Sequence, residues 1–118
     1  MEYKYINTEY LDSVSAGDNS VIIEIIDMFR EQADEMYNEM KTLLAEKNYH
    51  NLGLLAHKAK SSVAIMGMAD LAMMLKTFEL DAKESKEPEK YESYINRFRD
   101  ETAMAVKELD DLRTKLKS

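Results

Sequence analysis

Residues 52–71 read Leu-Gly-Leu-Leu-Ala-His57-Lys58-Ala-Lys60-Ser61-Ser62-Val-Ala-Ile-Met-Gly67-Met-Ala-Asp-Leu71. Placed on a helical wheel at about 100° per residue, Leu52, Leu55, Ala56, Ala59, Val63 and Met66 fall within one arc of roughly 100°. That is the width of a core-facing stripe, so the stretch predicts a helix packed on one side. His57 falls roughly 140° from the centre of the arc. It is expected to face outward, with Gly53, Lys60, Ser61 and Ala64 as neighbours one turn either way. An imidazole facing solvent among small residues, with an ammonium one turn on, is placed to be touched by a partner.

The flanking sequence is helical in both directions. Asn48 is expected to cap this helix, and Gly67 to end it, because glycine accepts a left-handed backbone at no steric cost. Upstream, Asp18 or Asn19 opens a long helix to about Lys47 whose apolar positions Ile22, Ile25, Ile26, Phe29, Ala33, Met36, Met40, Leu43 and Leu44 keep three-and-four spacing. Before it, a short lead-in and a small helix to about Ser15 are expected, capped by Asn7 or Thr8 and ended by Gly17. Downstream, a helix from about Ala69 to Glu84 carries Leu71, Met74, Leu75, Phe78 and Ala82. Pro88 lies in the break that follows. The last helix carries Tyr91, Ile95, Phe98, Thr102, Ala105, Leu109, Leu112 and Leu116, a heptad-like seam. Such a seam could pair two chains as a coiled coil. Next to three other amphipathic helices, it more often closes an intramolecular bundle. The predicted fold is an all-α, antiparallel four-helix bundle with a short additional N-terminal helix, one domain over residues 1–118.

Composition narrows the function. Three Gly and one Pro in 118 residues fit an almost wholly helical chain. The absence of cysteine removes disulfides and thiolate chemistry, and no run approaches the roughly 18 apolar residues of a membrane span. A cytoplasmic protein is expected. The net charge of −7 argues against nucleic acid as a partner. Its distribution is uneven: Lys47, Lys58, Lys60 and Lys76 face Asp70 alone within residues 47–76, which leaves a locally basic surface around His57.

His57 is the strongest candidate for reactivity, since a neutral imidazole is nucleophilic near pH 7. His50 lies two turns earlier on nearly the same face. Seven residues separate two imidazoles by about 10 Å, too far to share one ion, so no metal site is expected. The nine Met residues read mainly as core filler. No Gly-rich phosphate loop or acidic metal cluster is present, which argues against an ATP-using kinase. A lone His with a Lys also lacks the base, acid and oxyanion arrangement of a hydrolase.

The stretch resembles the signature of histidine phosphotransfer (HPt) domains, approximately Ala-His-x-Leu-Lys-Gly-Ser-x-x-x-hydrophobic-Gly-Ala, then Leu, then Leu-Glu one helix later. Ala56-His57, Lys60, Ser62, Met66-Gly67, Leu71 and Phe78-Glu79 match it at the same spacings. Ala59, Ser61 and Met68 depart from it, replacing Leu, Gly and Ala. Ser61 puts a hydroxymethyl where the family's glycine gives a partner close access. The order of predicted helices is similar to this family from end to end.

The resemblance implies a phosphocarrier rather than an independent enzyme. His57 would relay a phosphoryl group between the aspartates of two receiver domains, one belonging to a hybrid histidine kinase and one to a response regulator. Lys60 would stabilise the phosphoryl oxygens, with Lys58 a weaker helper and Ser61, Ser62 and Gly67 in supporting roles. No cofactor is expected on this chain, the magnesium ion belonging to the receiver. A separate, monomeric protein is expected rather than the output segment of a hybrid kinase. The rival from another class is a helical scaffold or coiled-coil adaptor in which His57 is incidental. On the wheel, Leu54, Ile65 and Met68 lie roughly 130° to 160° from the centre of the core arc. With Ala64 they are expected to form a docking surface around His57.

Overall fold

The computed structural model describes residues 3–117. Among them are five α-helices: α1 (Glu9–Ser15), α2 (Asn19–Ala45), α3 (Tyr49–Ile65), α4 (Ala69–Lys83) and α5 (Tyr91–Lys117), with one 3-10 turn at Pro88–Lys90. Helices α2 to α5 form the antiparallel bundle, and α1 packs on α2.

Several helix ends have a chemical cause. The Asp18 carboxylate accepts from the Ser20 N–H at 2.9 Å and opens α2. At the front of α1 it is Asn7, not Thr8, whose side chain caps, accepting from the Glu9 N–H at 2.9 Å. Helix α2 ends at Ala45, slightly short of the expected Lys47. There Lys47 turns left-handed (φ 57°) and the Asn48 N–H returns to the Leu43 carbonyl at 2.9 Å. Asn48 then caps α3 by accepting from the Asn51 N–H at 3.4 Å. The same return ends α3, where Gly67 takes φ 74° and the Met68 N–H reaches the Val63 carbonyl at 3.1 Å. Gly67 is required twice over, because a Cβ there would fall 2.5 Å from the Cβ of Asn7.

The α3 stripe is the expected one, while Ile25, Leu43, Leu44, Leu112 and Leu116 of the neighbouring stripes are only partly buried. Leu52, Ala56, Ala59 and Val63 of α3 are fully enclosed, with Leu55 and Met66 nearly so. They share one core with Ile26, Phe29, Met36 and Met40 from α2, Leu71, Leu75 and Phe78 from α4, and Tyr91, Phe98 and Leu109 from α5. The α5 seam is therefore consumed inside the bundle: Tyr91, Ile95, Phe98, Thr102, Ala105 and Leu109 are all buried. The far end of α5 is held on the start of α2 by ion pairs of Arg30 with Asp110 and of Arg113 with Asp27.

Residues 3–7 are tied down as well. The Glu108 carboxylate accepts from the N–H groups of Lys4, Tyr5 and Ile6 at 2.8 to 3.0 Å, and Ile6 is buried. The Asn7 N–H closes this strap on the Met66 carbonyl at 2.9 Å.

Two positions lie elsewhere than expected. Met68 is buried, 4% exposed, and takes no part in an outer stripe. The wheel cannot be extended to it, because the left-handed Gly67 redirects the chain and turns Met68 inward at the start of α4. Gly53 is also buried, facing α4 and not solvent. Helix α3 is covered on two flanks, by α2 and by α4, so its buried surface is wider than the single apolar arc.

Candidate functional site

His57 sits at the middle of α3 with its side chain 56% exposed, on the flank that borders α4. Its Nδ1 lies 3.0 and 3.1 Å from the two carboxylate oxygens of Glu79 on α4. Glu79 itself is 7% exposed, one of three buried polar or charged residues among those described. Lys83, one turn further along α4, donates from Nζ to Oε2 of Glu79 at 2.8 Å. The Lys60 ammonium stands 3.8 Å from Oε1. One sheltered carboxylate thus gathers an imidazole and two ammonium groups from two helices.

A buried carboxylate is stable only when its charge is matched by donors, and here it is. Burial pushes the Glu79 carboxyl up, but the hydrogen bonds from Lys83 and His57 outweigh it and hold the group below its ordinary value of 4.5. Glu79 is therefore ionised near pH 7 and can only accept. The proton of a neutral His57 ring must then sit on Nδ1, and Nε2 keeps its lone pair. That is the arrangement of a nucleophile with a fixed tautomer: one nitrogen held by a carboxylate, the other free to attack.

The remaining expected residues are spread around this cluster. Lys60 approaches it, whereas Lys58 is exposed and makes no contact with Glu79. The Ser61 hydroxyl donates back to the His57 carbonyl at 3.4 Å, the usual habit of a mid-helix serine. Ser62 is half-buried and faces a groove between α1, α2 and α3, and Gly67 serves the turn. Leu54 and Ala64 are exposed. Ile65 is half-buried and lines the same groove as Ser62, beside Tyr10, Val14 and Met28, which are about half exposed. His50 is exposed, and no group of three or more His, Asp or Glu side chains among the described residues is arranged to hold a metal ion.

Glu79 and Lys83 carry no role in the reading of residues 52–71, although both belong to the site. A charged residue on an amphipathic helix is read as solvated unless its burial is known. The available signal was the closing Phe78-Glu79 pair of the motif, where an acid stands beside a core phenylalanine at a fixed distance from His57.

The model of the Hpt domain family matches residues 24–116, and the chain belongs to that family. Members of it are phosphocarrier modules of phosphorelays, working with receiver domains. Comparison with curated proteins and with solved structures returned no match. The matched residues begin inside α2, so α1 and the residue 3–7 strap lie outside them.

Proposed function

We propose that His57 is the phosphorylated residue of this chain and relays a phosphoryl group between receiver-domain aspartates. One observation carries the reading: the Glu79 carboxylate holds Nδ1 of an exposed imidazole, which leaves Nε2 as the nucleophile. Nε2 attacks the phosphorus of an aspartyl phosphate, the Nε2–P bond forms, the acyl O–P bond breaks, and the aspartate leaves as carboxylate. The proton on Nδ1 stays in place, so the ring gains positive charge as the bond forms. Glu79 opposes that charge from 3.0 Å, as a preorganised counter-ion. Lys60 supplies positive charge toward the phosphoryl oxygens. Return of the phosphoryl to a second aspartate runs the same steps backward.

In this reading the first receiver belongs to a hybrid histidine kinase and the second to a response regulator. The magnesium and acidic pocket are the receiver's, and this chain acts without a cofactor, as a cytoplasmic monomer. None of the helices among the described residues is long and apolar enough to cross a membrane. The docking surface is drawn from Leu54, Ala64 and Ile65 together with the apolar groove beside Ile65, with Met68 removed from it. Phosphotransfer profiling against the receivers of the source organism tests the relay. Rapid transfer to and from a small subset supports it, whereas no transfer from any phosphorylated receiver would rule it out.

A further inference from the structure

Gly53 stands one turn before His57, inside α3, and its backbone is not left-handed. Glycine is therefore not there for conformation. In a helix interior it is worse than the alanine found at positions 56, 59 and 64 of the same helix. What it provides is space. A Cβ at Gly53 would lie 2.8 Å from Cγ of Lys83, 3.1 Å from the carbonyl oxygen of Glu79 and 3.2 Å from the backbone N of Lys83. The last two atoms belong to the α4 backbone, on the turn that carries both side chains of the His57 cluster.

We propose that Gly53 is a positioning residue for His57: it sets the α3–α4 separation at which the Glu79 carboxylate reaches Nδ1 and the Lys83 stem crosses α3 one turn from the ring. The proposal rests on the phosphoryl-accepting reading of His57. The flexible Lys83 stem can swing away from an added methyl group, but the two backbone atoms can retreat only with α4. Contacts of 3.1 and 3.2 Å ask α4 to give by a few tenths of an ångström, which stretches the 3.0 Å hydrogen bond toward the limit near 3.5 Å. The imidazole would then be held less firmly in one tautomer while every reacting group remained present.

The test is Gly53→Ala, read in two ways: nitrogen NMR of the His57 ring without any phosphate donor, and the rate of phosphoryl acceptance from a receiver domain loaded with acetyl phosphate. The expected result is a ring with a larger share of its proton on Nε2 than in the wild-type protein, together with acceptance slower by about 3- to 10-fold, a barrier change of under about 1.4 kcal/mol. Wild-type tautomer and wild-type rate would overturn the proposal. So would slower transfer with an unchanged tautomer, since spacing would not then act through the ring. If the variant does not fold, the wild-type protein decides the matter. A nuclear Overhauser contact between the Gly53 α-protons and the Lys83 methylenes is expected, and its absence would refute the close approach. If His57 accepts no phosphoryl group at all, the relay reading fails, while the tautomer measurement still tests the role of Gly53.

Discussion

Glu79 reaches back across the α3–α4 interface to Nδ1 of His57, 22 residues earlier in the chain, and holds it with both carboxylate oxygens at 3.0 and 3.1 Å. Removing that carboxylate should slow phosphoryl transfer even though His57 itself is spared. A hydrogen bond to a charged group is worth about 1.5 to 3 kcal/mol, so Glu79→Ala should slow acceptance by about one to two orders of magnitude. Glu79→Gln keeps an acceptor oxygen for Nδ1–H and should fall between the two. Rapid-quench transfer rates for the three proteins check this order.

The same carboxylate makes stability depend on acid. Its folded-state pKa is lowered, with burial outweighed by Lys83 and His57, so its contribution is present above the ordinary value of 4.5 and is lost as pH falls through the lowered folded value. Asp18 and Asp111 are also held low, by Ser20 and by Lys115 respectively, and both remain in a Glu79 variant. Wild-type protein should lose unfolding free energy below about pH 4.5, and Glu79→Gln should lose it less steeply. Urea titrations at a series of pH values between 3 and 7 measure the difference in slope.

The lysines around the ring should not be equivalent. Lys60 stands 3.8 Å from Glu79, whereas Lys58 is exposed and forms no ion pair with it. Lys60→Ala should slow transfer by about 10- to 100-fold, the loss of one charge-assisted contact. Lys58→Ala should change it by less than about 2-fold, as expected of a solvated charge. Equal effects in single-turnover assays would show that only the general field of the basic surface matters.

The partner surface divides in a similar way. Leu54 is 48% exposed, so Leu54→Asp should weaken receiver binding by about 1 to 2 kcal/mol while the melting temperature holds. Met68 is buried, and Met68→Asp should instead cost about 3 kcal/mol or more of stability by placing an unpaired charge in the core. Calorimetric titration with a receiver domain and thermal melts of each variant separate the two effects.

The periodicity of residues 52–66 sufficed to place the core of α3 and the outward face of His57, because both follow from the geometry of a single straight helix. Met68 escaped because the wheel stops having meaning at Gly67, where the backbone turns left-handed. Gly53 escaped for a different reason: a residue without a side chain gives no hydropathy signal, and its value lies in what α4 brings against it. Glu79 was visible as the end of a motif but not as a partner of His57. Its role depends on how α3 and α4 align across the Gly67 turn, and that alignment is a tertiary fact. Asn48 was legible as a cap, and the caps at Asn7 and Asp18 were legible to within one residue, with Thr8 and Asn19 as the alternatives, because each acts on an N–H two or three residues away.

The central claim is that Nε2 of His57 carries the phosphoryl group. Its most direct measurement is phosphorus and nitrogen NMR on the wild-type protein after incubation with an acetyl phosphate-loaded receiver, with His57→Gln alongside. An acid-labile, base-stable phosphoramidate on Nε2, with the proton still on Nδ1 and no signal from His57→Gln, is the predicted result. Phosphate retained in His57→Gln, or attached to Nδ1 in the wild-type protein, would contradict it.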